Sequence, residues 1–345
     1  MRSPIPAAAP RASGDDYTAD LRAALASPAA PGDPRLGIVV VNYGSSRLLA
    51  ANLAPGLARS AGARIVVVDN LSTATERSAI SALARERGWD LVTPGGNLGF
   101  GEGVNVGVLR AAELGCRVFV TLNPDAVAVA EVLAALGEAA AGSSRALISP
   151  LVQRPDGSPF FRGSTINMRT GRIRTGWVEG DDDPDWKNWL SGACLAFSGE
   201  AFAELGGFAD GYFLYWEDVD LSRRAAAAGL ELAMRTDLAV VHDEGGTHTA
   251  SGSRAKSPLY YYFNTRNRLL FAGRVVAPAD RRAWLAGTPR ESLRIWLRGG
   301  RRQLLTQPQG MLAAVRGTIA GLRAYRSEAK AHARRPVPHT DRSPQ

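Results

Sequence analysis

Four short apolar runs, each closing on or just before a polar side chain and each followed by a new segment, constrain this chain more than any other feature. They are Leu36-Gly-Ile-Val-Val-Val-Asn42-Tyr43, Arg64-Ile-Val-Val-Val-Asp69-Asn70, the shorter Asp90-Leu-Val-Thr93, and Arg117-Val-Phe-Val-Thr-Leu122. Runs without polar alternation suit strands buried on both faces. Between them the pattern predicts helices over about 47–60, 75–87 and 104–114, and strands alternating with helices at this spacing build βαβ units. The expected fold is α/β, a mostly parallel sheet flanked by helices. In such open sheets ligands bind beyond the carboxyl ends of the strands. Asn42, Asp69, Asn97 and Asp125 lie just past strand ends or in the following loops, so these polar side chains converge on one edge.

The loop Pro94-Gly-Gly-Asn97-Leu-Gly99-Phe-Gly101-Glu-Gly103 follows the third strand. A dinucleotide fingerprint belongs in the first strand-to-helix turn, and that turn is Asn42-Tyr-Gly-Ser-Ser46, so the fingerprint is excluded. Glycine in the later loop would let a ligand approach the backbone closely. Asn123-Pro124-Asp125 ends the fourth strand. A carboxylate there can hold a hard divalent cation together with ligand phosphate oxygens, although the same residues also make an ordinary turn.

A second focus is Tyr212-Phe-Leu-Tyr215-Trp216-Glu217-Asp218-Val-Asp220-Leu221, where an aromatic run ends in three carboxylates. Asp218 reads either as a helix N-cap with Asp220 in the first turn, or as a general base at the mouth of an apolar-walled cleft. The two readings are compatible. Upstream, residues 151–186 read as hairpins and loops and Trp189–Phe197 as a strand. Leu230–Met234 and Leu238–Val241 read as short strands, the second delivering His242 into a Gly/Thr/Ser segment with phosphate-binding potential. Arg266 and Arg268, on a helix beginning near Tyr260, can reach phosphate. Residues 281–326 alternate basic and apolar side chains. They read either as amphipathic helices for an anionic membrane surface or as helices packed back on the domain.

The chain has 345 residues, 45% of them hydrophobic, enough for one large α/β domain with appendages. A net charge of +8 fits acidic partners, but no nucleic-acid recognition motif accompanies it. Cys116 and Cys194 lack metal-binding spacing and read as reduced core residues. No stretch is long and apolar enough to span a bilayer, and the N-terminus has no apolar signal-peptide core.

Taken together and in order, these residues resemble a family 2 glycosyltransferase with the GT-A fold, in particular its bacterial rhamnosyltransferase-like members. The matching pieces run from Val39-Val-Val-Asn42-Tyr43 through Val67-Val-Asp69-Asn70, Asn97-Leu-Gly99-Phe100, Leu122-Asn123-Pro124-Asp125, Ser191-Gly192-Ala193-Cys194, Gly206-Gly207-Phe208 and Phe213–Leu221 to His242 and Arg266-Asn267-Arg268. The resemblance implies a GT-A (Rossmann-like) catalytic domain over 35–275, with a nucleotide-sugar half over 35–125 and an acceptor half over 126–275. A disordered arm over 1–34, with a short helix over Asp20–Ala26 left open, a basic amphipathic helical region over 276–330 and a disordered tail over 331–345 would complete the chain. Asp69 would bind the base of a nucleotide sugar beside Asn42 and Tyr43, with Asn97, Gly99, Asn123 and Arg266 along the ribose and diphosphate. Asp125 would be the main ligand of Mg²⁺ or Mn²⁺, with His242 a second ligand or a diphosphate contact; Asn123 replaces the first acid of the family's Asp-x-Asp motif. Asp218 would be the general base with Glu217 beside it, and Tyr215, Trp216, Trp189 and Gly192 would face the acceptor.

The activity so implied is inverting, metal-dependent hexosyl transfer, with rhamnose from a deoxythymidine-diphosphate sugar as the first expectation. Other hexosyl or galactofuranosyl donors and a small-molecule acceptor remain open. The implied acceptor is a glycan or a polyprenyl-diphosphate-linked sugar. The expected location is cytoplasmic, with peripheral contact at the inner face of the cell membrane, and homo-oligomer formation is left open. A nucleotidyltransferase would need a basic Gly-rich loop near the first strand, which Asn42–Ser46 does not supply. An inactive, membrane-associated scaffold is the remaining competitor, and Glu217, Asp218 and His242 stand against it.

Overall fold

The computed structural model describes residues 14–27, 35–179, 183–242, 256–300 and 308–334. The expected disordered tail beyond 334, most of the expected N-terminal arm, part of the acidic run 181–185 and the Gly/Thr/Ser segment after His242 lie outside the described residues. The chain divides into two compact units, one of residues 1–167 and 172–253, the other of residues 168–171 and 254–345.

In the first unit, the strands are β1 (Leu36–Asn42), β2 (Ala63–Asp69), β3 (Asp90–Val92), β4 (Val118–Leu122), β5 (Ala126–Val127), β6 (Ala146–Gln153), β7 (Pro159–Phe161), β8 (Ser164–Asn167), β9 (Ile173–Thr175), β10 (Trp186–Trp189), β11 (Cys194–Ser198) and β12 (Glu231–His242). The main sheet has the order β3-β2-β1-β4-β11-β6-β12-β5, with β7 beside β6. A smaller sheet has the order β10-β8-β9. The stretch β3-β2-β1-β4 is parallel as expected: β1 pairs in parallel with β2 and β4, and β2 with β3. The sheet as a whole is mixed, because β11 runs antiparallel between β4 and β6, and β5 antiparallel beside β12.

The helices are α1 (Gly14–Ala26), α2 (Ser46–Asn52), α3 (Leu57–Ser60), α4 (Ala74–Arg87), α5 (Phe100–Glu113), α6 (Ala130–Gly142), α7 (Gly199–Glu204) and α8 (Glu217–Ala227). Successive strand residues face opposite sides, which explains the unbroken apolar runs. Ile38, Val40, Ile65, Val67 and Val120 enter a core with Leu49, Ile80, Leu133 and Leu136. Val39, Val41, Val66 and Phe119 enter the opposite core with Val104, Val108, Phe202 and Leu221.

Several boundaries differ from expectation for local physical reasons. The single helix expected over about 47–60 breaks into α2 and α3 at Pro55-Gly56, where Gly56 has φ +82°. The short helix left open over Asp20–Ala26 begins earlier, at Gly14, and as α1 it buries Tyr17 and Leu21 at helical spacing in the second core. The strand expected over Trp189–Phe197 is two strands in two sheets, interrupted at Leu190–Ala193. The two short strands before His242 are one strand, β12, whose pairing with β6 shifts register between Arg235 and Ala239.

The second unit holds α9 (Pro258–Arg274), α10 (Arg281–Ala286), α11 (Thr288–Leu297) and α12 (Pro308–Arg334). Its centre is the fully buried Trp284, whose Nε1 donates to the Met168 carbonyl at 2.6 Å. Buried Arg268 lies over that ring, 4.8 Å from the centroid, and donates to the Thr170 carbonyl at 2.7 Å. Burial pulls the Arg268 guanidinium down to about 10. Close approach of α9 and α12 requires Gly317, where a Cβ would lie 2.2 Å from the Tyr262 carbonyl oxygen.

Candidate active site

The carboxyl ends of β1 and β2 stand in register, with Asn42 opposite Asp69. Both are fully buried, and Asn42 Nδ2 donates to Asp69 Oδ1 at 3.3 Å. The other carboxylate oxygen accepts from Arg77 Nε at 2.8 Å. Arg77, one turn into α4, also donates to the Pro94 carbonyl at 3.1 Å. The charge of a buried carboxylate is thus matched, as burial requires. Tyr43, the next residue out from β1, is 57% exposed.

The Gly-rich segment is more helical than its composition implies. Asn97 Oδ1 accepts from the Gly99 amide at 2.9 Å, and Gly99 (φ +84°) is the N-cap of α5. Gly101, Gly103 and Gly107 therefore lie inside α5, where added Cβ atoms would meet Phe208, Val41 and Val39. Their glycine requirement comes from close packing. Gly99 itself packs on the aromatic loop: its Cβ would lie 2.2 Å from the Phe213 carbonyl oxygen, which accepts from the Phe100 amide at 3.0 Å. Asn70 Nδ2 donates to the Gly99 carbonyl at 2.7 Å and fixes the loop from the β2 side.

At the end of β4, Asn123 is half-buried and Asp125 buried. β12 pairs with β5 so that His242 stands opposite Ala126. This register brings His242 Nε2 to 3.1 Å from Asp125 Oδ1. The imidazole is stacked parallel on Phe160, with centroids 4.9 Å apart, and Arg154 Cζ lies 5.4 Å from the Phe160 centroid.

Tyr215 and Trp216 both adopt the left-handed region, φ +67° and +76°, immediately before α8. Such strain in bulky residues persists only where the surroundings over-determine it. Trp216 occupies the N-cap without a side-chain capping bond, so Asp218 is not the cap but sits in the first turn. Asp218 Oδ2 accepts from the Gly192 amide at 3.2 Å and Oδ1 from the Val219 amide at 2.8 Å. Burial raises its carboxyl to about 6 against these hydrogen bonds, which pull it down. Burial, and then the Asp218 charge, push buried Glu217 well above the usual carboxylate range. Its Oε2 has no partner among the described residues. Asp220 is committed elsewhere, accepting from Tyr212 Oη at 3.1 Å and Arg224 Nε at 2.6 Å.

One backbone segment joins the two acidic foci. The Ala193 carbonyl accepts from the Asn123 amide at 2.9 Å, while the Gly192 amide reaches Asp218. Thr121 Oγ1 locks this turn from below, donating to the Gly192 carbonyl at 3.1 Å and accepting from the Leu195 amide at 3.1 Å. A Cβ on Gly192 would press 2.8 Å from the Phe100 ring. Trp189, at the end of β10, is half-buried and lies 5.5 Å from Phe161, centroid to centroid.

An N-acetylglucosaminyl-diphospho-decaprenol L-rhamnosyltransferase of Mycobacterium tuberculosis is 31% identical over 223 residues, covering 56% of this chain and 71% of that protein. The chain is a family 2 glycosyltransferase of the rhamnosyltransferase-like group. A low-salt glycan biosynthesis hexosyltransferase of Haloferax volcanii is 25% identical over 239 residues, 68% of this glycosyltransferase and 74% of that protein. The fold of a Pyrobaculum calidifontis mannosyltransferase solved with GDP-Man and Mn²⁺ is similar, with TM-score 0.50 at 18% identity, covering 93% of this chain and 91% of that one. No protein-family model matches the chain.

Within the first unit, the glycosyltransferase brings Asn42 to Asp69, Asp125 to His242, and Gly192 to Asp218. Arg266 is not among these residues. It lies on α9 in the second unit, where its guanidinium donates to Asn267 Oδ1. Sequence reasoning missed Arg77, Asn70, Thr121 and Phe160. Asn70 adjoins a chosen acid and Arg77 lies in the first turn of the helix that follows it, so both were within reach of a local search. Thr121 and Phe160 carried no local signal. Among the described residues no three His, Cys, Asp or Glu side chains gather as a metal site. Asp125 and His242 nonetheless fit a divalent cation that takes its remaining ligands from a diphosphate and water. The buried His242 Nδ1 has no partner among the described residues, and Nε2 already points at the carboxylate.

Proposed function

We propose that this glycosyltransferase transfers a sugar, with inversion, from a nucleoside-diphosphate donor to a hydroxyl of a lipid-linked glycan acceptor. The observation that carries this reading is the Gly192–Ala193 turn, which ties the Asn123–Asp125 turn and the Asp218 carboxylate to one stretch of backbone. Exposed Tyr43 meets the nucleotide base, with buried Asn42 and Asp69 fixing the strand ends beside it, and Asn97, Gly99 and Asn123 flank the ribose and diphosphate. Asp218 takes the proton of the acceptor hydroxyl as that oxygen attacks the anomeric carbon, and the bond to the diphosphate breaks on the opposite side. A carboxyl near 6 is mostly ionised at neutral pH yet basic enough for this work. Asp125 and His242 would hold Mg²⁺ or Mn²⁺, which would supply charge stabilisation for the departing diphosphate. Buried Glu217, its carboxyl pushed up by burial and by the Asp218 charge, stands beside the base, and Tyr215, Trp216, Trp189 and Gly192 form the acceptor side.

The relatives support rhamnose as donor sugar and a polyprenyl-diphosphate-linked acceptor, since the mycobacterial protein's name states both. The hexosyltransferase of Haloferax supports the broader class. A panel of nucleotide sugars, screened by thermal shift with Mg²⁺ and Mn²⁺, identifies the donor through its stabilisation of the native state. Release of nucleoside diphosphate in the presence of a polyprenyl-diphosphate-linked sugar then tests transfer. Asp218→Asn is expected to lose transfer while keeping donor binding; near-normal turnover by that variant removes Asp218 as the base.

A further inference from the structure

Charge is divided unevenly along this chain. Residues 254–345 carry 19 Lys and Arg against 4 Asp and Glu, whereas residues 1–253 carry 22 against 29. Two of those four acids pair within the unit: Glu328 with Arg274 at 2.8 Å, and Glu291 with Arg294. The longest helix of that unit, α12, has one acid, Glu328, and that acid faces α9.

The outward face of α12 is apolar at one end and basic at the other. Gly310, Ala314, Gly317 and Gly321 form its buried face, and Gly317 and Gly321 lie against the backbone of α9. Turned away from that seam, Met311, Leu312, Val315 and Ile319 are 48%, 48%, 51% and 47% exposed. At 100° per residue these four fall within about a third of the helix circumference. Arg316 and Arg323 border the stripe, and Arg326 and Lys330 continue it toward the C-terminus, all exposed. Among the described residues no helix is long and apolar enough to cross a membrane.

We infer that the outward face of α12 docks this enzyme on an anionic lipid surface, with Met311, Leu312, Val315 and Ile319 entering the headgroup–acyl boundary and the flanking arginines meeting lipid phosphate. Charge complementarity selects this occupant. A helix with an apolar stripe, a basic border and no outward acid binds in the plane of an anionic interface. A second copy of the same strongly basic unit would bring like charges together. The inference does not depend on the donor, the acceptor or the metal.

The test uses the full-length protein and vesicles of phosphatidylcholine alone or with 30 mol% phosphatidylglycerol, as a flotation assay. Binding is expected to the anionic vesicles only, and to weaken as salt is raised. Val315→Glu/Ile319→Glu and Arg316→Glu/Arg323→Glu, all at exposed positions, are each expected to lower the apparent affinity by about tenfold or more. Unchanged melting curves check that the variants fold. Failure of the wild-type protein to float with anionic vesicles, or undiminished flotation of both variants, overturns the proposal. So does a wild-type dimer in light scattering that the Val315/Ile319 variant dissolves without any change in flotation, which would assign the stripe to self-association.

Discussion

His242 Nε2 lies 3.1 Å from Asp125 Oδ1, brought there by the antiparallel pairing of the last residues of β12 with β5. Neither residue is near the other in sequence, and neither alone would hold a cation. The parallel stack of His242 on Phe160 fixes the ring plane in which Nε2 points.

The first expectation follows from that pair. Asp125→Asn and His242→Ala should each weaken Mn²⁺ binding by about tenfold to a hundredfold, and Phe160→Ala should weaken it less, through loss of ring orientation. Calorimetric titration of Mn²⁺ in the presence of nucleoside diphosphate reads this without any turnover. Equal affinity in all three variants would exclude the pair as the cation site.

A second concerns pH and activity. Asp218 must be ionised to act as a base, and its carboxyl stands at about 6. The kcat/KM profile should therefore rise with pH through about 6 and level off above it. The profile should not continue down to the usual carboxylate range, where an ordinary exposed Asp would titrate.

The same shift has the opposite sign for stability. Asp218 holds its proton more tightly in the folded protein than at its ordinary value of 3.8, so its contribution to stability is fully present below that value and is lost as pH rises through about 6. Glu217, also raised, acts in the same direction. Asp218→Asn should then melt higher than wild type at neutral pH, by about 1 kcal/mol, because the half-buried carboxyl is partly screened by solvent. At pH 4 the two proteins should melt closer together.

Arg77 supplies a further check. It is the cationic partner of fully buried Asp69, and removing one member of such a pair leaves a charge uncompensated. Arg77→Ala should cost about 3 kcal/mol in chemical denaturation, and Asp69→Asn/Arg77→Ala together less than Arg77→Ala alone. Additive losses would show that the two side chains do not depend on each other.

Gly99→Ala tests the join between the α5 N-terminus and the aromatic loop. Gly99 has φ +84° and a Cβ there would overlap the Phe213 carbonyl. The loss should reach about 2 kcal/mol or more, and it should displace the strained Tyr215–Trp216 turn as well. Gly95→Ala, where nothing lies within 4 Å of an added Cβ, is the neutral control.

Much of the framework is legible in the amino-acid order. Each of the first four apolar runs became a strand, and β1, β2 and β4 are buried on both faces, which leaves no polar gap to misread. Asn42 and Asp69 were marked as edge residues for the same reason: the chain must return to polar side chains where it leaves the sheet. The family resemblance was likewise carried by local motifs in a fixed order. The Gly-rich segment shows the limit of composition, since glycines needed for helix–sheet contact and glycines needed for a ligand look alike in one dimension.

The positions of the strands and the polar residues at their ends were thus determined by sequence, through the local demand that buried backbone be paired and buried faces be apolar. Tertiary structure decided the partners: His242 for Asp125, Arg77 for Asp69, and the Gly192 amide for Asp218. Those choices depend on strand order and register, on β11 inserting antiparallel between β4 and β6 and on β12 turning back to β5. Such pairings join residues far apart in the chain, and hydrophobic periodicity, which reports only on which face of an element is buried, carries no record of them.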